Sequence, residues 1–278
     1  MVHLSGFADE IAADLDLQIE VLQSEGLRHL ELRAVWGKNV LDLSPEERTK
    51  AKRRLDDAGI GVSAIGSPIG KVAVDAPWKD HLTRFRVALQ MAEHFEAPYI
   101  RLFSFYPASS GGAPGAPGPT HRDEVIRRLI EMVTIAKGRP VRLLHENEKG
   151  IYGEGTEACL DIVRSVPGMG LIFDPANFIQ VGVKPAEAWP ILRDHVVYFH
   201  IKDARMADGG VVPAGEGDGA IPEILRDATS ARGFDGFLSL EPHLKVAGER
   251  SGFSGPDLFK KAVQALKRIL KDLDVAFD

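Results

Sequence analysis

The chain has 278 residues, with 34 Lys plus Arg against 40 Asp plus Glu and a formal net charge of -6. That acidic balance argues against nucleic acid, whose phosphates call for a basic face. The single cysteine excludes an internal disulfide and a thiolate zinc site. With 44% hydrophobic residues the chain can bury a large core, so it is neither disordered nor fibrous. No run reaches about 18 apolar residues, and the opening MVHLSGFADEIAADL lacks the charged head and apolar run of a signal peptide. A cytoplasmic protein with no membrane partner is expected.

In chain order, short apolar runs predict strands at Val2–Phe7, His29–Ala34, Gly61–Ile65, Tyr99–Phe105, Val141–Glu146, Leu171–Phe173, Val196–Ile201 and Phe237–Leu240. Amphipathic stretches lie between them, such as Leu15, Ile19 and Leu22 after the first run and Val263, Leu266 and Leu270 after the last. Ser44-Pro45-Glu46-Glu47 marks a helix start with an N-cap serine, a proline at the first position and a capping-box glutamate. Gly26, Gly59 and Gly233 mark helix ends. Eight strands alternating with eight helices, with no linker-like break, predict one (β/α)8 TIM barrel spanning 1–278; a doubly wound sheet is the alternative. The Gly/Pro/Ala-rich stretch Ala108–Gly118 reads as an insertion after the fourth strand, either a plain surface loop or an active-site lid.

In such a barrel the reactive groups stand at the C-terminal ends of the strands. The last four strands end in Glu146, Asp174, His200 and Glu241. Three carboxylates sharing one rim would repel and raise one another's pKa, a cost that a divalent cation removes. Three oxygens and one imidazole suit Mn2+, with Mg2+, Co2+ or Zn2+ as other fits. Parity adds candidates. Lys202 lies two past His200, Glu148 two past Glu146 and His243 two past Glu241; each is a candidate substrate contact, with ion pairs or solvated strand ends as the plainer reading. For Lys202 the plainer reading is an ion pair with Asp203 or Glu148. His145 has the opposite parity and is expected to pack outward. Arg33 and Arg101 lie near strand ends and are read as pocket-lining or structural ion pairs. Trp36 is expected at the rim as a wall for a sugar ring, and Trp189 in helix packing.

The segments HENEKGIYGEG at 145–155, FDPANF at 173–178, FHIKD at 199–203, AGEGDG at 214–219 and SLEPHL at 239–244 resemble the xylose isomerase-like barrels. These include sugar phosphate isomerases and epimerases and the tagatose 3-epimerase type. The resemblance covers nearly the whole chain and implies one divalent ion held by Glu146, Asp174, His200 and Glu241. It also implies acid/base catalysis by Glu146 and Glu241 through an enediolate of a small ketose, keto-sugar or polyol, and a possible homo-oligomer. Asn177 stands where such epimerases tend to have a substrate-contacting histidine, and Arg205 is a candidate for an arginine that some relatives place on substrate hydroxyls. Loss of a β-hydroxyl from the same intermediate would make a lyase, as in the inosose and dehydroshikimate dehydratases of this barrel. DNA-repair endonuclease chemistry would need several more rim histidines, whereas the second to fourth strands end in Arg33-Ala34, Gly66-Ser67 and Ser104-Phe105. A degenerate, non-enzymatic barrel conflicts with the intact ligand set. Ala214–Gly219 carries a GxGxG string with two acids; those acids disfavour a phosphorylated substrate and point to a neutral one.

Overall fold

Eight parallel strands form the frame: β1 (His3–Gly6), β2 (His29–Leu32), β3 (Gly61–Ile65), β4 (Tyr99–Leu102), β5 (Arg142–Glu146), β6 (Gly170–Phe173), β7 (Val196–Ile201) and β8 (Phe237–Leu240). In this computed structural model, which describes residues 1–108, 119–245 and 253–278, each strand pairs with its successor from β2 to β8, and β8 returns to β1. The return of β8 to β1 makes a barrel and rules out the doubly wound sheet. Among the described residues no ladder joins β1 to β2, which lie side by side and leave one seam without backbone bonds.

The helices between strands are α1 (Leu15–Ser24), α2 (Pro45–Asp57), α3 (Trp78–Phe95), α4 (Pro119–Ala136), α5 (Thr156–Ser165), the short α6 (Pro175–Gln180) and α7 (Pro185–Leu192) after β6, α8 (Ile221–Arg226) and α9 (Pro256–Asp272). Local chemistry sets their ends. Ser44 caps α2 in a full capping box: Glu47 N donates to Ser44 Oγ and Ser44 N to the Glu47 carboxylate. Gly26, Gly59 and Gly233 all have positive φ, as expected of residues that turn a helix end toward the next strand.

Strand alternation separates two buried regions. Leu143, Phe173, Phe199 and Leu238 point outward into the shell between barrel and helices, where Trp189 packs against Phe173 and Phe199. Ala64, Leu144, Ile172 and Tyr198 fill the barrel's inside. Residues 109–118, most of the expected insertion, lie outside the described residues. None of the described helices is long and apolar enough to cross a membrane.

Candidate active site

The alternation that sends Leu144, Ile172 and Tyr198 inward repeats two residues later with Glu146, Asp174 and His200, and Glu241 follows inward-facing Ser239 on β8. All four are buried. Their ligand atoms lie within 4.8 Å of one another. His200 Nδ1 is 3.0 Å from Glu146 Oε1, 3.7 Å from Glu241 Oε2 and 3.9 Å from Asp174 Oδ2. Its other nitrogen, Nε2, faces Glu31 Oε2 at 3.0 Å. One ring nitrogen is therefore fixed by a carboxylate behind it, while the other faces three carboxylates in front.

Electrostatics within the cluster are polarised. Burial opposes the imidazolium of His200, but Glu146 and Glu31 outweigh it and raise its pKa to about 10. Burial would raise Glu146, yet His200 and Arg101 bring it down to about 2. Asp174 is pushed up to about 7 by burial, with Glu241 and Glu146 adding to the shift against Lys202. Asp174 Oδ1 accepts from Asn177 N at 2.9 Å and so caps α6, whereas Oδ2 is buried without a well-directed hydrogen bond, although the Lys202 ammonium lies 2.9 Å away. That under-satisfied oxygen, three converging carboxylates and a pre-oriented imidazole fit a divalent ion.

Each glutamate is also gripped from outside the cluster by an arginine. Arg101 Nη1 donates to Glu146 Oε2 at 3.2 Å, and Arg33 Nη1 to Glu241 Oε1 at 3.1 Å. Both guanidinium groups stack on the Phe7 ring, at 4.4 Å for Arg33 and 4.9 Å for Arg101. The arginines fix which oxygen of each glutamate turns toward the ligand cluster. Above them opens a cavity of about 430 Å3 whose walls include both arginines, Glu146 and Glu241.

Residues 19–269 match the model of the xylose isomerase-like TIM barrel. The chain belongs to this family. Among solved structures the chain is similar to a D-tagatose 3-epimerase-like protein at 18% identity and a TM-score of 0.77, covering 98% of each chain. It is similar to the probable 3-DHS dehydratase AsbF of petrobactin synthesis from Bacillus anthracis at 17% identity and a TM-score of 0.74, covering 96% of this chain and 99% of that one. A xylose isomerase-like TIM barrel protein from Mycobacterium smegmatis in complex with magnesium matches at 16% identity and a TM-score of 0.70, over 98% of this chain and 97% of that one. At these identities the likeness is one of fold. No curated protein matches the sequence.

On this xylose isomerase-like barrel the other expected site residues divide. Asn177 lines the cavity, but its amide nitrogen is spent on Glu146 Oε1 at 3.2 Å and the Asn147 carbonyl at 2.9 Å, so it positions a glutamate. Lys202 lines the cavity too; its ammonium stands 2.9 Å from Asp174 Oδ2 and 3.0 Å from Glu241 Oε2, not on Asp203 or Glu148. His243 faces Glu241 Oε1 at 3.5 Å and Glu10 Oε1 at 3.3 Å, from a turn with φ of 45°. Glu148 reaches the cavity wall paired with Lys71 at 2.8 Å. His145 is buried on the outward face, 3.0 Å from Ser104 Oγ.

Three expectations need correction. Arg205 does not reach the cavity: its half-exposed guanidinium pairs with Asp208 at 3.0 Å on the outer hairpin after β7. Trp36 is no cavity wall; Lys50 sits over its ring at 5.0 Å on the outside. Glu216 and Asp218 do not line the cavity either, which removes the premise for a neutral substrate. The AGEGDG loop does cradle an anion, but that anion is Asp203. Its Oδ2 accepts from Gly215 N at 2.8 Å and Gly217 N at 3.1 Å, and its Oδ1 from Gly219 N at 2.8 Å.

Sequence reasoning missed Glu31, Glu10 and Asn147. Glu31 Oε2 accepts from Tyr198 OH at 3.0 Å, Ser239 Oγ at 2.9 Å and His200, beneath the ligand cluster. Ser63 and Ser5 extend this polar layer. Asn147 ties the ends of β5 and β6 by bonding both the N–H and the carbonyl of Asp174. Glu10 lies behind Glu241, its pKa raised to about 8 by burial, with Glu241 adding to the rise, so it keeps its proton near neutrality and adds no negative charge there. Replacing Glu31 with alanine removes the acceptor oxygen that faces His200 Nε2. Mn2+ affinity is expected to drop about 10–100-fold, as when an outer partner of a metal-binding histidine is lost; calorimetric titration with Mn2+ checks it, and an unchanged affinity would exclude this orienting role.

Proposed function

We propose that the protein is a divalent-metal-dependent isomerase or epimerase acting on a small ketose, keto-sugar or polyol. The observation that carries this reading is the convergence of Glu146, Asp174, His200 and Glu241 within 4.8 Å at the floor of an open cavity, with each glutamate held by its own arginine. Those four residues would hold the ion, Mn2+ by preference, with Mg2+, Co2+ or Zn2+ as alternatives. When bound, it supplies Lewis acidity to a carbonyl and its neighbouring hydroxyl, so that the C–H between them is acidified.

Glu146 and Glu241 are the groups that move the proton. Each is buried, and burial would raise each pKa, yet each is held below the usual carboxylate range by facing cations: Glu146 by His200 and Arg101, Glu241 chiefly by Lys202. One takes the proton from carbon and an enediolate remains; return by the other to the opposite face inverts the centre, and return to the neighbouring carbon gives the isomer. Arg101 and Arg33 orient the two carboxylates, and Lys202 adds a positive charge beside the developing oxyanion. The single cysteine, buried and with its thiol pKa raised by burial, suits a reducing cytoplasm.

A lyase is the second reading, because loss of a β-hydroxyl as water from the same enediolate needs no further groups. The likeness to a probable dehydratase keeps it in view. The two part in D2O. With Mn2+-loaded protein and a panel of ketoses, inososes and dehydroshikimate, NMR is expected to show solvent deuterium entering the substrate carbon without loss of water. An unsaturated product would move the assignment to the lyase, and no exchange on any of these compounds would defeat the proton-abstraction reading.

A further inference from the structure

The cavity is cationic in an acidic protein. Its walls carry Arg33, Lys71, Arg101, Lys149, Lys202 and Lys245 against three carboxylates, Glu146, Glu148 and Glu241, while the whole chain has a net charge of -6. Part of this positive charge is accounted for at the floor. Arg33 answers Asp9 and Glu241, Arg101 answers Glu146, and Lys202 answers Asp174 and Glu241. At the mouth Lys71 pairs with Glu148. Lys149 and Lys245 remain: both are exposed, and among the described residues neither ammonium has an ion-pair or hydrogen-bond partner, Lys245 lying only against the Phe253 ring at 5.6 Å.

Like charges gathered in one cleft cost self-repulsion and are tolerated where a ligand of opposite sign relieves it. A neutral polyol would draw little from this lining. Ammonium groups are donors only, and desolvating them against uncharged hydroxyls loses hydration with no Coulomb gain in return. The acids of the AGEGDG loop, the one sequence feature that opposed an anion, face elsewhere. A divalent ion shared by the floor carboxylates would make the cavity more positive still.

We infer that the substrate carries an anionic group, a carboxylate or a phosphate, held at the cavity mouth by Lys149 and Lys245 while its hydroxycarbonyl end meets Glu146 and Glu241. The placement of the reacting end rests on the function proposed above; the charge of the far end does not.

Three non-reacting compounds with one carbon skeleton test it: D-glucitol, D-gluconate and D-glucitol 6-phosphate, titrated into Mn2+-loaded protein by calorimetry. At least one charged probe is expected to bind about tenfold or more tighter than glucitol, a difference of about 1.4 kcal/mol. Which of the two does so tells carboxylate from phosphate. That advantage is expected to shrink as salt rises, and to fall to about twofold in the Lys149→Ala/Lys245→Ala double variant with Mn2+ affinity unchanged. Equal affinity for all three probes would overturn the inference. So would an advantage that survives the double variant, since the anion would then sit on the ion or the floor arginines. No turnover is needed, so the failures separate: deuterium exchange on a neutral ketose with no charged-probe preference defeats this inference alone, and the reverse result defeats the proton-transfer reading alone.

Discussion

Glutamine in place of Glu146 or Glu241 is expected to lower turnover about a thousandfold or more, the usual scale for removing a positioned acid or base. The substitution keeps the shape and removes the charge and the proton-accepting oxygen. Two losses are then superimposed, because each glutamate is also a proposed metal ligand, and they must be measured apart. Mn2+ titration reports the ligand role; solvent-deuterium exchange at saturating Mn2+ reports the proton-transfer role. Circular dichroism shows that the barrel is intact. In Glu146→Gln the Arg101 guanidinium loses its carboxylate while the Asn177 amide keeps an oxygen to bond, and in Glu241→Gln Arg33 and Lys202 each lose one of two carboxylate partners, keeping Asp9 and Asp174 respectively. Turnover within a few-fold of wild type for both variants, with the ion bound, would rule out the two-carboxylate mechanism.

Gly70→Ala is expected to be the most destabilising of single methyl additions near the site. Gly70 follows β3 on the loop that brings Pro68 and Lys71 to the cavity, and its φ is 92°. A Cβ there would stand 2.0 Å from the Phe103 carbonyl oxygen and 2.5 Å from its carbon, both backbone atoms that cannot swing aside. The same peptide is bonded on both sides: Gly70 N donates to His81 Nε2 at 3.1 Å, and Phe105 N donates to the Gly70 carbonyl at 3.0 Å. Burial holds His81 neutral, with a pKa near 4, so its ring can accept that bond. Backbone strain and overpacking together are expected to cost about 4 kcal/mol or more. Chemical denaturation checks this, and a loss below about 1 kcal/mol would show that the loop can move away.

The fold was legible because period-two alternation and helix punctuation are local. Leu144, Glu146 and Leu143, His145 fall on opposite faces by the geometry of a strand alone, and so did the four rim residues. The reading weakened wherever the chain leaves a strand. Arg205 lies beyond the end of β7, on a hairpin whose direction parity does not govern. The charges of Glu216 and Asp218 said nothing about which way their loop faces. Glu31 escaped notice because one acid inside His29-Leu30-Glu31-Leu32 looks like a solvent-facing position of a half-buried strand; only the closed ring turns that face into an interior shared with Tyr198 and Ser239. Its signal was available in hindsight: every strand of a closed barrel is covered on both faces. The seam between β1 and β2 has no sequence signature, since it concerns register and not composition.

The glycine-rich loop after β7 has one further consequence. Its amides form a concave anion receptor that is filled by the chain's own Asp203, and a Cβ at Gly217 would lie 2.4 Å from that carboxylate. The receptor is therefore spent on architecture: it pins the loop to Asp203, just past the end of the strand that carries His200, before any ligand arrives. Glycine spacing of this kind reports the curvature of a backbone and the sign of the charge at its centre. It is silent on whether that charge is brought by a visitor or by the chain itself.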